Sequence, residues 1–203
     1  MPLKFYPYSN IMVIGATSTG KTTAVLRIIK ERLIIDMPSK IFYCYGAKQP
    51  FMDTWNRDSS NPKIDFVEGL HLDVINSFKG PKLLVIDDLV TEQSKALSNH
   101  FIRDSHHKKC TTIYISHSVF QNNDNYKMIT NNCQYMLIMK NKRNFLQVKI
   151  LATQILGDRG DRIIEAYKYI DCYEPLVLYF HPKVPDQLLV VADYFKTCPS
   201  VFL

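Results

Sequence analysis

The sequence predicts an α/β fold, a mostly parallel sheet with helices on both faces, and three observations carry that prediction. Strand-like apolar runs alternate along the chain with helical patterns, the alternation that a parallel sheet requires. One junction, Ile11-Met-Val-Ile-Gly15-Ala-Thr-Ser-Thr-Gly20-Lys21-Thr22, passes from strand to helix through the complete Gly-x₄-Gly-Lys-Thr phosphate-loop pattern. A second run, Lys82-Leu-Leu-Val-Ile-Asp87-Asp88-Leu89, is apolar almost throughout, as a strand buried on both faces must be, and it closes on two carboxylates.

Length and composition set the bounds. A chain of 203 residues can bury one full α/β core but hardly two, so residues 1–203 read as a single domain. Hydrophobic content of 46% with 22% charged residues is that of a folded globular chain, and no stretch reaches the ~18 uninterrupted apolar residues of a membrane span. The opening Met1-Pro-Leu-Lys-Phe-Tyr-Pro-Tyr8 has no apolar signal core, which gives the expectation of an intracellular protein. Cys44, Cys110, Cys133, Cys172 and Cys198 are odd in number with no C-x-x-C pair; they read as reduced, mostly buried thiols, and no zinc-ligand spacing occurs. A net charge of +6 permits a polyanionic partner without requiring one.

Taken in order, residues 1–9 read as an extended, Pro- and Tyr-rich lead-in to a first strand at 11–14. Behind the loop, Val25, Ile28, Ile29 and Leu33 keep helical spacing with Arg27, Lys30 and Glu31 opposite, and Pro38 is expected to end that helix. Residues 41–45 are β-branched and aromatic enough for a second strand. Residues 46–64 hold turn formers and Trp55 in a short helix; 64–67 read as a short strand and 72–78 as a short helix cut by Gly80-Pro81. Past the two acids, 91–105 read as a helix with Leu97, Phe101 and Ile102 inward, and 111–116 as a strand with Ser116, His117 and Ser118 at its tip. A polar loop at 121–125 and a strand at 134–139 follow, ended by the basic turn Lys140-Asn-Lys142-Arg143. Residues 144–155 read as a helix with Leu146, Ile150 and Leu151 inward, broken at Gly157 to Gly160, and Asp161 is placed as the cap of a helix carrying Ile163, Ile164 and Tyr167. Residues 175–180 are read as the last strand and 181–203 as an irregular tail.

The chemistry follows from the motifs. Gly15, Ala16, Thr17, Ser18, Thr19, Gly20, Lys21, Thr22 and Thr23 form a loop whose N–H groups curl around phosphates at a helix N-terminus, with Lys21 reaching the β/γ-phosphates and Thr22 ligating Mg²⁺. Two acids at the end of a buried strand have no structural need to be there. Asp87 is expected to hold the metal through water and Asp88 to orient or deprotonate the attacking water, the alternative being a loop start or helix cap. Ser116 and His117 stand where open α/β sheets present polar groups to ligands, though His117 also fits a hydrogen-bonded strand end. His106-His107-Lys108-Lys109 fit a solvated turn as well as a functional one, and Lys140, Lys142 and Arg143 fit an ordinary surface as well as a DNA contact. A further strand and helix separate the loop strand from the acid strand, the arrangement of RecA-like (ASCE) P-loop NTPases. A GTPase is a poor fit: the guanine-reading N-K-x-D appears only as Asn141-Lys142-Arg143-Asn144, with an amide in place of the carboxylate.

Together, Gly15 to Thr22, Tyr43-Cys-Tyr-Gly46, Val85-Ile-Asp-Asp-Leu89, Ser105-His-His107 and the strand ending Ser116-His117-Ser118 resemble FtsK/HerA-type genome-packaging ATPases, most of all those of polinton-like and adintovirus-like DNA viruses. The resemblance runs from Ile11 to Phe180. It implies an ATP- and Mg²⁺-dependent ring, hexameric or pentameric, that pumps double-stranded DNA into a capsid, with capsid proteins as further partners and a place in the host nucleus or cytoplasm or with the virion. It also implies a catalytic role for Lys21, Asp88, Ser116 and His117 and a cation donated in trans. The chain departs from the family at His117, where relatives commonly carry Gln, and at Lys108, where many carry Arg; the trans cation is then Lys108, Arg103 or another basic residue. Two other classes fit the phosphate loop: a small-molecule or nucleotide kinase, for which arginines are sparse between the acids and residue 143, and a scaffold that binds ATP without turnover.

Overall fold

The computed structural model describes residues 3–87, 89, 95–141, 143 and 145–202. Strand β1 (Asn10–Ile14) lies between β5 (Cys110–Ser116) and β6 (Tyr135–Met139) and parallel to both. Outward from β5 run β4 (Lys82–Asp87), β2 (Lys40–Tyr45) and β3 (Asp65–Glu68), all parallel. Outward from β6 run β7 (Pro175–Tyr179), β8 (Val190–Ala192) and β9 (Ser200–Val201), each antiparallel to the strand before it. Among the described residues the order is β3-β2-β4-β5-β1-β6-β7-β8-β9. Because the six strands from β3 to β6 run the same way, the residues that follow β1, β4, β5 and β6 all emerge at one edge of the sheet.

Side chains alternate along each strand, and the two sets bury against different helices. Ile11, Val13, Tyr43, Val85, Ile115 and Leu137 face α1 (Lys21–Lys30) and α2 (Phe51–Trp55), which contribute Val25, Ile28, Met52 and Trp55. Met12, Ile14, Leu84, Ile86, Tyr114 and Met136 face α3 (Leu72–Ser77), α4 (Lys95–Asn99), α6 (Asp124–Asn131), α7 (Phe145–Leu156) and α8 (Asp161–Tyr169). Between α4 and α5 (Ser105–His107) the backbone widens into a π turn at His100–Asp104. No helix among the described residues is long and apolar enough to cross a membrane.

Several local expectations are corrected. Helix α1 stops at Lys30, well before Pro38, because Arg32 and Asp36 take left-handed backbone angles (φ 52° and 51°) and Leu33 turns back to accept from Phe5 N at 2.8 Å. The lead-in is therefore anchored, with Phe5 fully buried. Ile102, Leu146 and Ile150 are exposed rather than inward: the extra residue in the π turn rotates Ile102 outward, and α7 buries the i, i+3, i+4 set Val148, Leu151 and Ala152. Of the polar run at 121–125, residues 121–123 form the expected loop and Asp124 and Asn125 already open α6, where the Asn123 side chain accepts from Tyr126 N at 3.1 Å. Asp161 is the first residue of α8, and no side chain caps that helix. The tail carries β8 and β9 and packs Tyr194 and Phe195 into the core, so β7 is not the last strand. Residues 91–94 of the expected helix, Asn144 and Leu203 lie outside the described residues.

The π turn places one titratable group in the core. His100 is fully buried, its Nε2 is 2.9 Å from Thr112 Oγ1, and its Nδ1 meets no partner among the described residues. Burial pulls its pKa from 6.5 down to about 4, with nearby Asp104 opposing and Lys108 and Lys82 adding to the fall. The unfolded chain takes up this proton near pH 6.5 and the folded chain only near 4, so the contribution is full above pH 6.5 and is lost as pH falls towards 4. That amounts to about 3 kcal/mol over the window. Urea denaturation between pH 7 and 4 is expected to show this slope, and His100→Gln is expected to flatten it; an unchanged slope in the variant assigns the acid limb to other groups.

Candidate active site

At the edge where the parallel strands end, a cavity of about 410 Å³ is lined by Thr17, Ser18, Gly20, Lys21, Thr22, Thr23, Gln49, Asp87 and His117. The loop that forms its floor is folded by its own backbone. Gly15 N donates to Ser116 O at 3.1 Å, tying the loop to the tip of β5, and Thr19 Oγ1 and Lys21 Nζ both donate to Ala16 O at 2.8 Å. Gly20 (φ 93°) leads into α1 from the left-handed region, where a side chain would be strained. Gly15 is required for a different reason: a Cβ there would come within 2.5 Å of Thr19 Oγ1 and 2.8 Å of Met139 Cβ.

Facing the loop, Asp87 ends β4 with 4% of its surface exposed. Its Oδ2 accepts from Tyr43 Oη at 2.6 Å and from Gln49 Nε2 at 2.9 Å. The Thr22 hydroxyl in turn donates to Tyr43, so Tyr43 bridges the two residues expected at the metal. Burial, with the Asp87 carboxylate beside it, pushes the Tyr43 pKa far up and keeps it a donor. Carboxylate and hydroxyl oxygens on one cavity wall are the hard donors that Mg²⁺ takes, and the residues present fit that ion.

The remaining expected residues fall in three places. Ser116 is buried and its hydroxyl turns to the face away from α1, 2.8 Å from Tyr126 Oη, outside the cavity that His117 lines. Arg103 and Lys108 lie at the opposite edge of the sheet, by the start of β5, where Lys82 N donates to Lys109 O; β5 alone separates them from the loop by about 20 Å at 3.3 Å per residue. Both pair with Asp104, at 3.1 Å from Arg103 Nε and 2.7 Å from Lys108 Nζ. Lys140 is at the loop's edge, but its amine donates to the carbonyls of Lys168 (2.6 Å) and Ile170 (2.7 Å) and so closes the end of α8; Arg143 is exposed. Asp88 and Lys142 lie outside the described residues. Sequence reasoning missed Tyr43 and Gln49. A tyrosine inside a buried strand was a usable signal, since its hydroxyl needs a partner there.

A phosphate loop opening α1, an acid at the end of β4, and β5 inserted between their strands define the P-loop NTPase fold with RecA-like strand order. The chain shares this fold with the DNA-packaging ATPase B204 of Sulfolobus Turreted Icosahedral Virus, at a TM-score of 0.58 and 11% identity over 88% of this chain and 95% of that one. It is also similar to the genome-packaging NTPase B204 of Sulfolobus turreted icosahedral virus 2, in the complex with ATP-gammaS (TM-score 0.57, 10% identity, 87% and 94% covered). The AMPPCP complex of that protein gives a TM-score of 0.56 at 10% identity, with 88% and 95% covered. No family model matches the chain, and no curated protein matches it in sequence.

Two substitutions test the geometry. Gly15→Ala forces Thr19 off Ala16 and is expected to abolish phosphate-ligand binding in calorimetry while the circular dichroism of the fold persists. Tyr43→Phe removes a donor from a buried carboxylate and is expected to lower unfolding stability by about 1–3 kcal/mol without added metal; wild-type stability in urea would show that Asp87 does not depend on Tyr43.

Proposed function

We propose that the chain is an ATP-hydrolysing subunit of a ring that moves double-stranded DNA, in the packaging of a viral genome. The observation that supports the reading is that the phosphate loop, Thr22 and Asp87 line one cavity, in a fold that spans nearly the whole of the packaging NTPases it resembles. In this reading the loop N–H groups and Lys21 hold the phosphates of ATP, and Thr22 and Asp87 hold Mg²⁺, which supplies neutralisation of phosphate charge. Asp88, next in sequence after Asp87, aligns water for in-line attack, and His117 at the cavity wall contacts the terminal phosphate. A cation of the adjoining subunit completes the site. Arg103 is the better candidate: its side chain is 69% exposed, against 38% for Lys108, and only its Nε engages Asp104. Lys142 and Arg143, which follow β6 in the sequence, are the proposed DNA contacts, while the Lys140 amine is engaged by the end of α8. The duplex is taken up through its phosphates and without regard to sequence.

The deciding experiment is phosphate release as a function of protein concentration, with and without duplex DNA. Specific activity is expected to rise with concentration and with DNA. Asp88→Asn should retain ATP binding and lose turnover by ~10²-fold or more. Arg103→Ala should be inactive alone and regain activity when mixed with Lys21→Ala, since mixed rings contain interfaces with one intact loop and one intact cation. Turnover that is independent of concentration and of DNA points instead to a monomeric enzyme such as a kinase, and ATP binding with no turnover at all points to a scaffold.

A further inference from the structure

The cavity at the phosphate loop is lined by loop hydroxyls and Lys21, with Asp87, Gln49 and His117 facing them. Asp87, Gln49 and His117, on the β4 and β5 side, are the groups the proposed reading gives to the metal and the terminal phosphate, which leaves the base to be held elsewhere. A nucleoside triphosphate whose terminal phosphate meets Asp87 extends past Gly20 and the start of α1 towards the other flank, where β6 and β7 lie. There the loop meets an aromatic ring: a Cβ built on Gly20 would stand 3.2 Å from Tyr173 Cδ1. Tyr173 is 69% exposed, so its ring lies beside the phosphate loop with most of the residue facing solvent.

The position is held against strain. Tyr173 has φ 69°, a left-handed angle that a bulky residue adopts only at a cost of about 1–3 kcal/mol. The segment around it is braced on both sides. Lys140 Nζ holds the Ile170 carbonyl, Asp171 pairs with Lys196 at 3.0 Å, and Glu174 lies 3.9 Å from Arg27 on α1. An exposed tyrosine elsewhere needs no explanation; one fixed in a costly conformation against Gly20 does.

We infer that Tyr173 is the nucleobase platform of this site, stacking its ring on the base of the bound nucleoside triphosphate. The inference rests on the proposed nucleotide binding. Stacking reads the π face and not the hydrogen-bonding edge, so the platform takes purines without choosing between adenine and guanine.

The test separates the base from the phosphates by titrating ATP and inorganic tripolyphosphate into wild-type, Tyr173→Phe and Tyr173→Gly proteins by calorimetry. Glycine adopts φ 69° without strain, so Tyr173→Gly is expected to melt no lower than wild type. It should bind ATP at least about five-fold more weakly and tripolyphosphate within two-fold of wild type, while Tyr173→Phe matches wild type for both. If wild type binds both ligands and Tyr173→Gly keeps its ATP affinity, stacking is overturned and nucleotide binding stands. If Tyr173→Gly weakens both ligands equally, the ring supports the loop and not the base, which also overturns it. Wild-type protein that binds neither ligand removes the nucleotide reading itself, and the platform with it.

Discussion

A carboxylate that is 4% exposed has lost most of its hydration, and Asp87 is stable where it is only through the donors that surround it. Tyr43 comes from β2 and Gln49 from the segment leading into α2, so the strand next to β4 must be β2 and its polar tip must reach the end of the sheet. Gly46 N reinforces the pairing by donating to Asp87 O at 3.1 Å. Through Tyr43 the same network takes in Thr22 and therefore the first turn of α1. The acid, the loop and the order of three strands are thus one hydrogen-bonded arrangement, and moving any one of them would strand a charge out of water.

Much of the fold was legible because buried parallel strands leave a strong mark. The runs at 11–14 and 83–86 are apolar on both faces and 111–116 is β-branched and aromatic apart from its closing serine, and the structure pairs all three at the centre of the sheet. The signal fails where burial is shared unevenly. In α7, apolar residues stand on several sides, so spacing alone could not say that Val148 and Ala152 face the core while Leu146 faces solvent. The π turn is invisible to a 3.6-residue period by its nature, and it moved Ile102 outward. Strands β8 and β9 have three and two residues and pair only with the edge beyond β7, so no local pattern announced them.

The site divides in the same way. Gly15 to Thr22 and Asp87 could be read because their spacing along the chain is the chemistry. Gln49 could not, and Tyr43 only through the need of a buried hydroxyl for a partner: each reaches the site from a different segment, and strand order brings it there. Ser116 illustrates the converse. Its place at a strand tip suggested a ligand contact, but successive residues of a strand face opposite sides, and the face it received holds Tyr126.

The two edges of the sheet bear on how copies of the chain could share a site. The loop and Asp87 stand at one edge, Arg103 and Lys108 at the other, and a side chain of ~6 Å cannot cross the ~20 Å between them. If one of these cations serves catalysis, it serves a neighbour. The contact must then bring the start of one sheet to the end of the next, joining two different surfaces. Where such a contact is heterologous, it closes into a ring only when the rotation per subunit divides a full turn. A two-fold contact can also serve both loops, since each copy then offers its cation to the other, so the separation of these residues calls for a neighbour without fixing the symmetry that supplies it.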